Sequence, residues 1–254
     1  MDRSHDLGAL PHALDGGLGA RARIGLIVLA TDQTIEHEWR LIFGGLDGVA
    51  LYQSRIWNDP QITPDTLRRM EGKLVESAAV IMPGLPLASL AFGCTSATMV
   101  IGEEGVFARL REARPEARPT TPITAAFAAF RAFGARRLAV LTPYRADVNA
   151  TVRAYIEARG YEVPVFGTFD EEDDHRAARI DTASIRDAAI ELGRDPRVEA
   201  VFVACTSLRV AKVVAEIEAA TGKPVTSSNH AMAWHALRLA GVEEHLPWGR
   251  LFAS

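Results

Sequence analysis

Two kinds of apolar pattern alternate along this chain. Continuous apolar runs of strand length recur, and between them apolar residues fall at steps of three and four. Residues 23–29 form the first run, suited to the interior of a parallel sheet. The polar turn Ala30-Thr31-Asp32-Gln33-Thr34 leads from it to a helical stretch over 35–40. Further strands are predicted over 48–53, 87–92, 137–142, 162–167, 200–204 and 224–226. A helix is predicted to start at Thr63-Pro64-Asp65, with Thr as cap and Pro at the first helical position, and to carry Leu67, Met70, Leu74, Val75 and Ala78 on one face. Helices are also expected over 123–133 up to Gly134, over 147–159 up to Gly160, over 182–192, around Val210, Val213, Val214 and Ile217 up to Gly222, and over 229–239. Strands alternating with helices throughout are the signature of a parallel α/β protein.

A faint repeat lies inside this alternation. The strand at Ile24 opens 70 residues before Cys94, and the strand at Leu138 opens 67 before Cys205. These two cysteines are the only ones in the chain, and each closes an apolar run and is followed by Thr-Ser. Thr and Ser are natural helix caps, so each cysteine is expected at a strand end and a helix start, where α/β proteins place their chemistry and where a helix N-terminus stabilises a thiolate. The charged, proline-rich stretch 111–119 divides the chain as a domain crossover.

Composition narrows the classes. The 254 residues are 48% hydrophobic and 24% charged with a net charge of −4, as expected of an ordinary globular protein. No basic stripe points to nucleic acid. The longest uncharged apolar stretch, 77–102, is broken by Pro83-Gly84, Pro86 and Gly93, so it reads as a helix end, a loop and a buried strand rather than a membrane span. Residues 1–20 carry Asp2, Arg3, His5, Asp6 and Asp15 without an apolar core, so they are expected as a loose tail and not a secretory signal. The expected location is cytoplasmic, with both thiols reduced. The turn at 31–34 has no Gly-x-Gly-x-x-Gly, which disfavours a dinucleotide, and no histidine pair has metal spacing.

Two opposed thiols can do specific chemistry. One takes a proton from a carbon beside a carboxylate while the other returns a proton to the opposite face, with no cofactor. Alternatively a thiolate adds to an activated double bond, permits rotation and leaves. Thr95, Ser96, Thr206 and Ser207, with helix-start N–H groups, would hold carboxylate oxygens.

Five stretches together resemble one superfamily: 27–36, Phe92-Gly93-Cys94-Thr95-Ser96, Thr142-Pro143-Tyr144, Ala204-Cys205-Thr206-Ser207-Leu208-Arg209, and 222–230 followed by Trp234. The chain is similar from Arg23 onward to the aspartate/glutamate racemase superfamily, which includes maleate cis-trans isomerase and arylmalonate decarboxylase. It is most like the maleate isomerase branch and the related ectoine-utilisation proteins, toward which the Thr-Asp-Gln-Thr loop leans. The resemblance implies two pseudo-symmetric Rossmann-like lobes with parallel sheets, an active site in the cleft between them, no cofactor and a homodimer. It implies a tail over 1–20, a first lobe from 21–118 plus 229–254, and a second from 119–228. Cys94 would match the nucleophile or base, Cys205 the partner acid, and Tyr144 a tyrosine that hydrogen-bonds a substrate carboxylate. Where maleate isomerases place carboxylate-binding asparagines, this chain has Asp32 and, by alignment, Asp174. Aspartate repels a carboxylate unless one of the pair is protonated. A small carboxylate bearing nitrogen, such as an ectoine derivative, suits these positions better than maleate.

Several residues keep two readings at this stage. Asp32 is either a helix cap or a ligand contact, and Tyr144 either packs or binds. The acidic run 170–174 reads as a solvated loop. His230 and His235 read as core or surface, and Arg209 as an anion clamp or a surface charge. For the whole chain the expected function is a cofactor-independent isomerase or racemase on a small carboxylate. The alternatives are a single-thiol decarboxylase and a two-lobed binding protein without catalysis.

Overall fold

The structure is a computed structural model and describes residues 7–59, 64–171 and 173–254. In chain order the first half comprises β1 (Ala22–Leu29), α1 (Ile35–Phe43), β2 (Val49–Ile56), α2 (Pro64–Arg69), α3 (Leu74–Ala79), β3 (Ser89–Phe92), α4 (Thr95–Ile101), α5 (Glu103–Ala113) and β4 (Arg118–Thr120). The second comprises α6 (Pro122–Phe133), β5 (Arg137–Thr142), α7 (Ala146–Glu157), β6 (Glu162–Thr168), α8 (Asp174–Ala177), α9 (Thr182–Gly193), β7 (Ala200–Val203), α10 (Val214–Thr221), β8 (Val225–Ser227) and α11 (Ser228–Leu239).

The strands form two four-stranded parallel sheets of the same order, β2-β1-β3-β4 and β6-β5-β7-β8. The faint repeat is therefore a real duplication, with β3 and β7 in equivalent places and a cysteine just beyond each. Both cysteine strands are wholly buried, because a parallel sheet covered on both faces by helices has no solvated side. Around β5 and β7 the core is aliphatic and aromatic: Phe130 meets Phe202 edge to face with ring centroids 5.3 Å apart. On the first sheet, Trp39 and Ile42 of α1 pack with Ala231 and Leu237 of α11. The last helix of the chain thus returns to pack against α1, α6 and β3.

Local chemistry explains the sharpest boundaries. Thr121 accepts a hydrogen bond from the Thr124 N–H at 3.3 Å, Pro122 opens α6, and Gly134 closes it in the left-handed conformation at φ 66°. Thr121→Ala is expected to lower the unfolding free energy by about 1 kcal/mol, read from urea midpoints at unchanged slope.

Three expectations change. The helix expected across Leu67 to Ala78 is broken into α2, a short 3-10 turn at Glu71–Lys73 and α3. Gly72, a poor helix former, sits at the break, and Leu67, Met70, Leu74 and Ala78 still share one cluster. The expected cap Thr63 lies outside the described residues. The crossover stretch hides β4, whose Pro119 is tolerated because the strand is at the sheet edge. Third, no helix starts at Cys205. Residues 204–210 form a loop, and only then come a 3-10 turn at Ala211–Val213 and α10. Among the described residues no helix is long and apolar enough to cross a membrane.

Candidate active site

The carboxyl ends of β1 and β3 face those of β5 and β7 across a cleft, as expected where parallel strands deliver their following loops. One cavity there is lined by Thr31, Asp32, Cys94, Thr95, Ser96, Tyr144, Asp174, Cys205, Thr206 and Ser207, with Asn58, Asp59 and the apolar Leu29, Leu67 and Met70 among the rest of its wall. All nine residues singled out from the sequence as catalytic or substrate-binding border this one space. Both cysteines are free thiols and only 4% exposed. The cavity measures about 30 Å³, where one buried water needs roughly 10–15 Å³. It is a narrow site, partly open to solvent.

The first thiol sits where the sequence expects it. Gly93 precedes it, and a Cβ there would come within 3.0 Å of the Ile35 side chain and 3.1 Å of the Ile27 carbonyl oxygen, so a larger residue would have to push the turn off β1. Cys94 then caps α4: its sulfur accepts from the Ala97 N–H at 3.4 Å and lies 3.7 Å from the Ser96 hydroxyl. The Thr98 N–H is bonded to the Cys94 carbonyl. Of the four N–H groups that a helix start leaves without an intrahelical partner, that of Cys94 is bonded to the Phe92 carbonyl and that of Ala97 to the sulfur, so those of Thr95 and Ser96 remain.

The second thiol is held by a loop. Ser207 N–H donates to the Cys205 sulfur at 3.3 Å, and the Cys205 N–H donates to the Ser228 hydroxyl at 3.1 Å. Ser228 is wholly buried and also hydrogen-bonds the Thr95 hydroxyl at 3.0 Å, so one serine joins the two cysteine segments. Cys205 has φ 157°, a backbone region costly for a residue with a side chain. Tyr144, expected at a substrate carboxylate, borders the cavity beside Cys205, and burial together with that neighbour raises its phenol above the usual range.

The expectation of stabilised thiolates is corrected. Burial pushes the Cys94 thiol up to about 11, against the pull of the Ala97 N–H and the Ser96 hydroxyl. It pushes Cys205 up to about 12, with the Asp174 charge adding to it. A helix start lowers a thiol pKa only where its contribution exceeds desolvation, and at the buried Cys94 it does not. Both groups rest as neutral thiols.

The two aspartates have distinct attachments. Asp32 Oδ1 accepts from the Thr34 and Ile35 N–H groups at 2.7 and 2.9 Å, the capping role. Its Oδ2 is buried at the cavity without a hydrogen-bond partner. Asp174 takes a bond from the Thr31 hydroxyl at 3.3 Å, and that hydroxyl is oriented by Asn58 Nδ2 at 2.9 Å. Burial raises both carboxyls, and Asp174 adds to the rise at Asp32. Among the described residues, the cavity lining holds no lysine, arginine or histidine.

Other readings resolve as well. The acidic run is not simply solvated: Asp173 caps α8, Glu171 pairs with Arg176 at 2.7 Å, and Asp174 turns inward. Arg209 stands on the loop rather than on a helix surface, donating to the Ile180 carbonyl while its Nε is buried without a partner. His230 is core, between Thr226 and the Trp248 carbonyl, and burial lowers it to about 4. His235, half-buried beside Thr120, is lowered to about 4 for the same reason. No group of three or more potential metal ligands occurs among the described residues.

Sequence reasoning missed Thr31, Asn58, Asp59 and Ser228 as site residues. The first three follow β1 and β2, whose carboxyl ends were a usable signal. Glu38 was also missed. It lies on α1, buried and raised by that burial to about 6.

Comparison with known proteins agrees with this architecture. Residues 103–252 match the family described as arylmalonate decarboxylase. The arylmalonate decarboxylase of Bordetella bronchiseptica is 32% identical over 136 residues, which is 52% of this chain and 57% of that protein. A maleate isomerase of Pseudomonas putida is 25% identical over 89% of this chain and 94% of its own. The structure of a cysteine-to-serine mutant of Nocardia farcinica maleate cis-trans isomerase, with a covalently bound succinylcysteine intermediate, superimposes with a TM-score of 0.82 at 24% identity, covering 91% of this chain and 98% of that one. With more than half of its length matched and both sheets in the same arrangement as these relatives, the chain belongs to the arylmalonate decarboxylase family.

Proposed function

We propose that the protein is a cofactor-independent isomerase or racemase acting on a small carboxylate, with Cys94 as nucleophile or base and Cys205 as the acid opposite. The observation that carries this reading is the pair of thiols, from equivalent strand ends of two sheets of the same order, lining one narrow cavity. The Thr95 and Ser96 N–H groups would receive a substrate carboxylate at the α4 start. In this reading the Cys94 proton passes to a carboxylate of the same lining, Asp32 or Asp174, whose pKa burial raises, as the sulfur becomes the reacting thiolate. The covalent cysteine intermediate of the Nocardia enzyme supports thiol addition as one such route.

The substrate we propose carries nitrogen as well as a carboxylate. Asp32 Oδ2 is a buried acceptor at the cavity with the Thr206 hydroxyl as its neighbour, and among the described residues no cation in the lining offsets Asp32 and Asp174. A carboxylate derived from ectoine, nominated by the Thr31–Thr34 loop, is one member of that class.

One observation favours a second reading. The decarboxylase match spans 103–252, which includes Cys205 and excludes Cys94. A single-thiol decarboxylase would protonate a planar carbanion from Cys205 alone. The test is chelator-treated enzyme in deuterated water with amino-substituted carboxylates, maleate and substituted malonates, followed by proton NMR. Exchange at the carbon beside the carboxylate, or geometric isomerisation, is the expected result. Loss of carbon dioxide instead establishes the second reading. Saturable binding without turnover of any of them overturns both in favour of a binding protein.

A further inference from the structure

We propose that Glu38, on a helix of the first half, is a positioning residue that holds the Cys205 loop of the second half in its reactive conformation. Its Oε1 accepts from two consecutive backbone N–H groups, Val210 and Ala211, both at 2.6 Å. Its Oε2 accepts from Asn229 Nδ2 at 2.9 Å, and the same amide nitrogen donates to the Thr206 carbonyl at 2.8 Å. One carboxylate thereby grips the loop at both ends, just after Cys205 and at the start of the following turn. Thr34, at the start of the same α1, adds a third grip by donating to the Ser207 carbonyl at 2.9 Å.

Three features say that this grip is selected rather than incidental. Glu38 is 2% exposed, yet backbone and amide N–H groups satisfy its two oxygens. A carboxylate in that position needs several charge-assisted bonds to offset its lost hydration, and the loop supplies them. Asn229 is turned so that its amino group serves two acceptors, which leaves its own Oδ1 buried without a partner. That orphan oxygen is the cost of holding Glu38 and the Thr206 carbonyl at once. Finally, Cys205 sits at φ 157°, which a residue with a side chain keeps only when its surroundings over-determine it. Releasing the grip lets Cys205 relax and swing its sulfur out of the position opposite Cys94.

The role in catalysis rests on Cys205 being a reacting thiol, but the test does not. Native protein is treated with iodoacetamide, and alkylation of Cys94 and Cys205 is followed in one sample by peptide mass spectrometry. In Glu38→Gln, an isosteric change that sets an amide against the Asn229 amide, the Cys205 rate is expected to rise about tenfold or more while Cys94 stays within about twofold. Asn229→Ala cuts the link to Thr206 and one bond to Glu38 while leaving the Val210 and Ala211 bonds in place, and it should shift the same ratio in the same direction; it carries the test if Glu38→Gln does not fold. An unchanged ratio of the two rates, with both thiols faster together or neither faster, overturns the proposal, because general loosening exposes both sulfurs alike. Absence of turnover with any substrate counts against the proposed function and leaves this ratio to be judged by itself.

Discussion

Cys94→Ser and Cys205→Ser are each expected to lower turnover about 10³-fold or more while the protein remains folded. Serine keeps the shape of each side chain but is far less acidic and far less nucleophilic. It can neither form the adduct nor exchange protons at the rate a thiol does. Folding should survive for separate reasons at the two positions. At 94 the residue caps α4 through the Ala97 N–H, and serine is among the best N-caps. At 205 the serine oxygen can still accept from the Ser207 N–H. Circular dichroism establishes the fold and initial rates the activity. The double variant should lose little more than the worse single one, since two groups acting in one step are not additive. Full activity in both single variants overturns the two-thiol mechanism. Loss confined to Cys205→Ser selects the decarboxylase reading.

Asp32→Asn carries the second large effect. Asparagine keeps the oxygen that caps α1 through the Thr34 and Ile35 N–H groups. It replaces the unpartnered Oδ2 with an amino group, turning an acceptor at the cavity into a donor. For a nitrogen-bearing substrate the lost charge-assisted bond is worth about 1.5–3 kcal/mol, so kcat/KM should fall roughly 10- to 150-fold. Binding of maleate should strengthen in the same variant, because a repelling carboxylate has gone. Thermal stability should hold or rise, since burial disfavours the charged form of Asp32. Isothermal titration with maleate and with an amino-substituted analogue gives the preference directly. If Asp32→Asn leaves that preference unchanged, Asp32 is a helix cap that binds substrate, if at all, as a protonated acid.

Much of the fold is legible in particular runs. Arg137 to Thr142 is a strand with the boundaries its apolar pattern indicates, and Gly134 and Gly222 end helices in the left-handed conformation as expected. Where the pattern is silent, competing local chemistry is responsible. Pro119 disguises β4 because proline argues against a central strand and is innocuous at an edge. Cys205-Thr206-Ser207 imitates the helix start at Cys94-Thr95-Ser96, where the cap is the cysteine itself, yet the chain after Cys205 runs on as a loop because Glu38 and Asn229 take its polar groups. Short polar motifs are read the same way in either setting. Their hydrogen-bond partners differ.

The same division runs through the site. Composition and periodicity by themselves determined two α/β halves, each with a cysteine just past an equivalent buried strand, because side-chain spacing along a strand or helix is a local property. Only the tertiary structure decided that Asp32 both caps and leaves one oxygen bare, that Asp174 turns inward from an acidic run, and that both thiols rest protonated. Those outcomes depend on burial and on partners far apart in the chain, such as Thr31 with Asp174, 143 residues on, and Glu38 with Asn229, 191 residues on. Desolvation in a narrow cleft acts on whatever the two halves bring together, and no pattern within one segment records it.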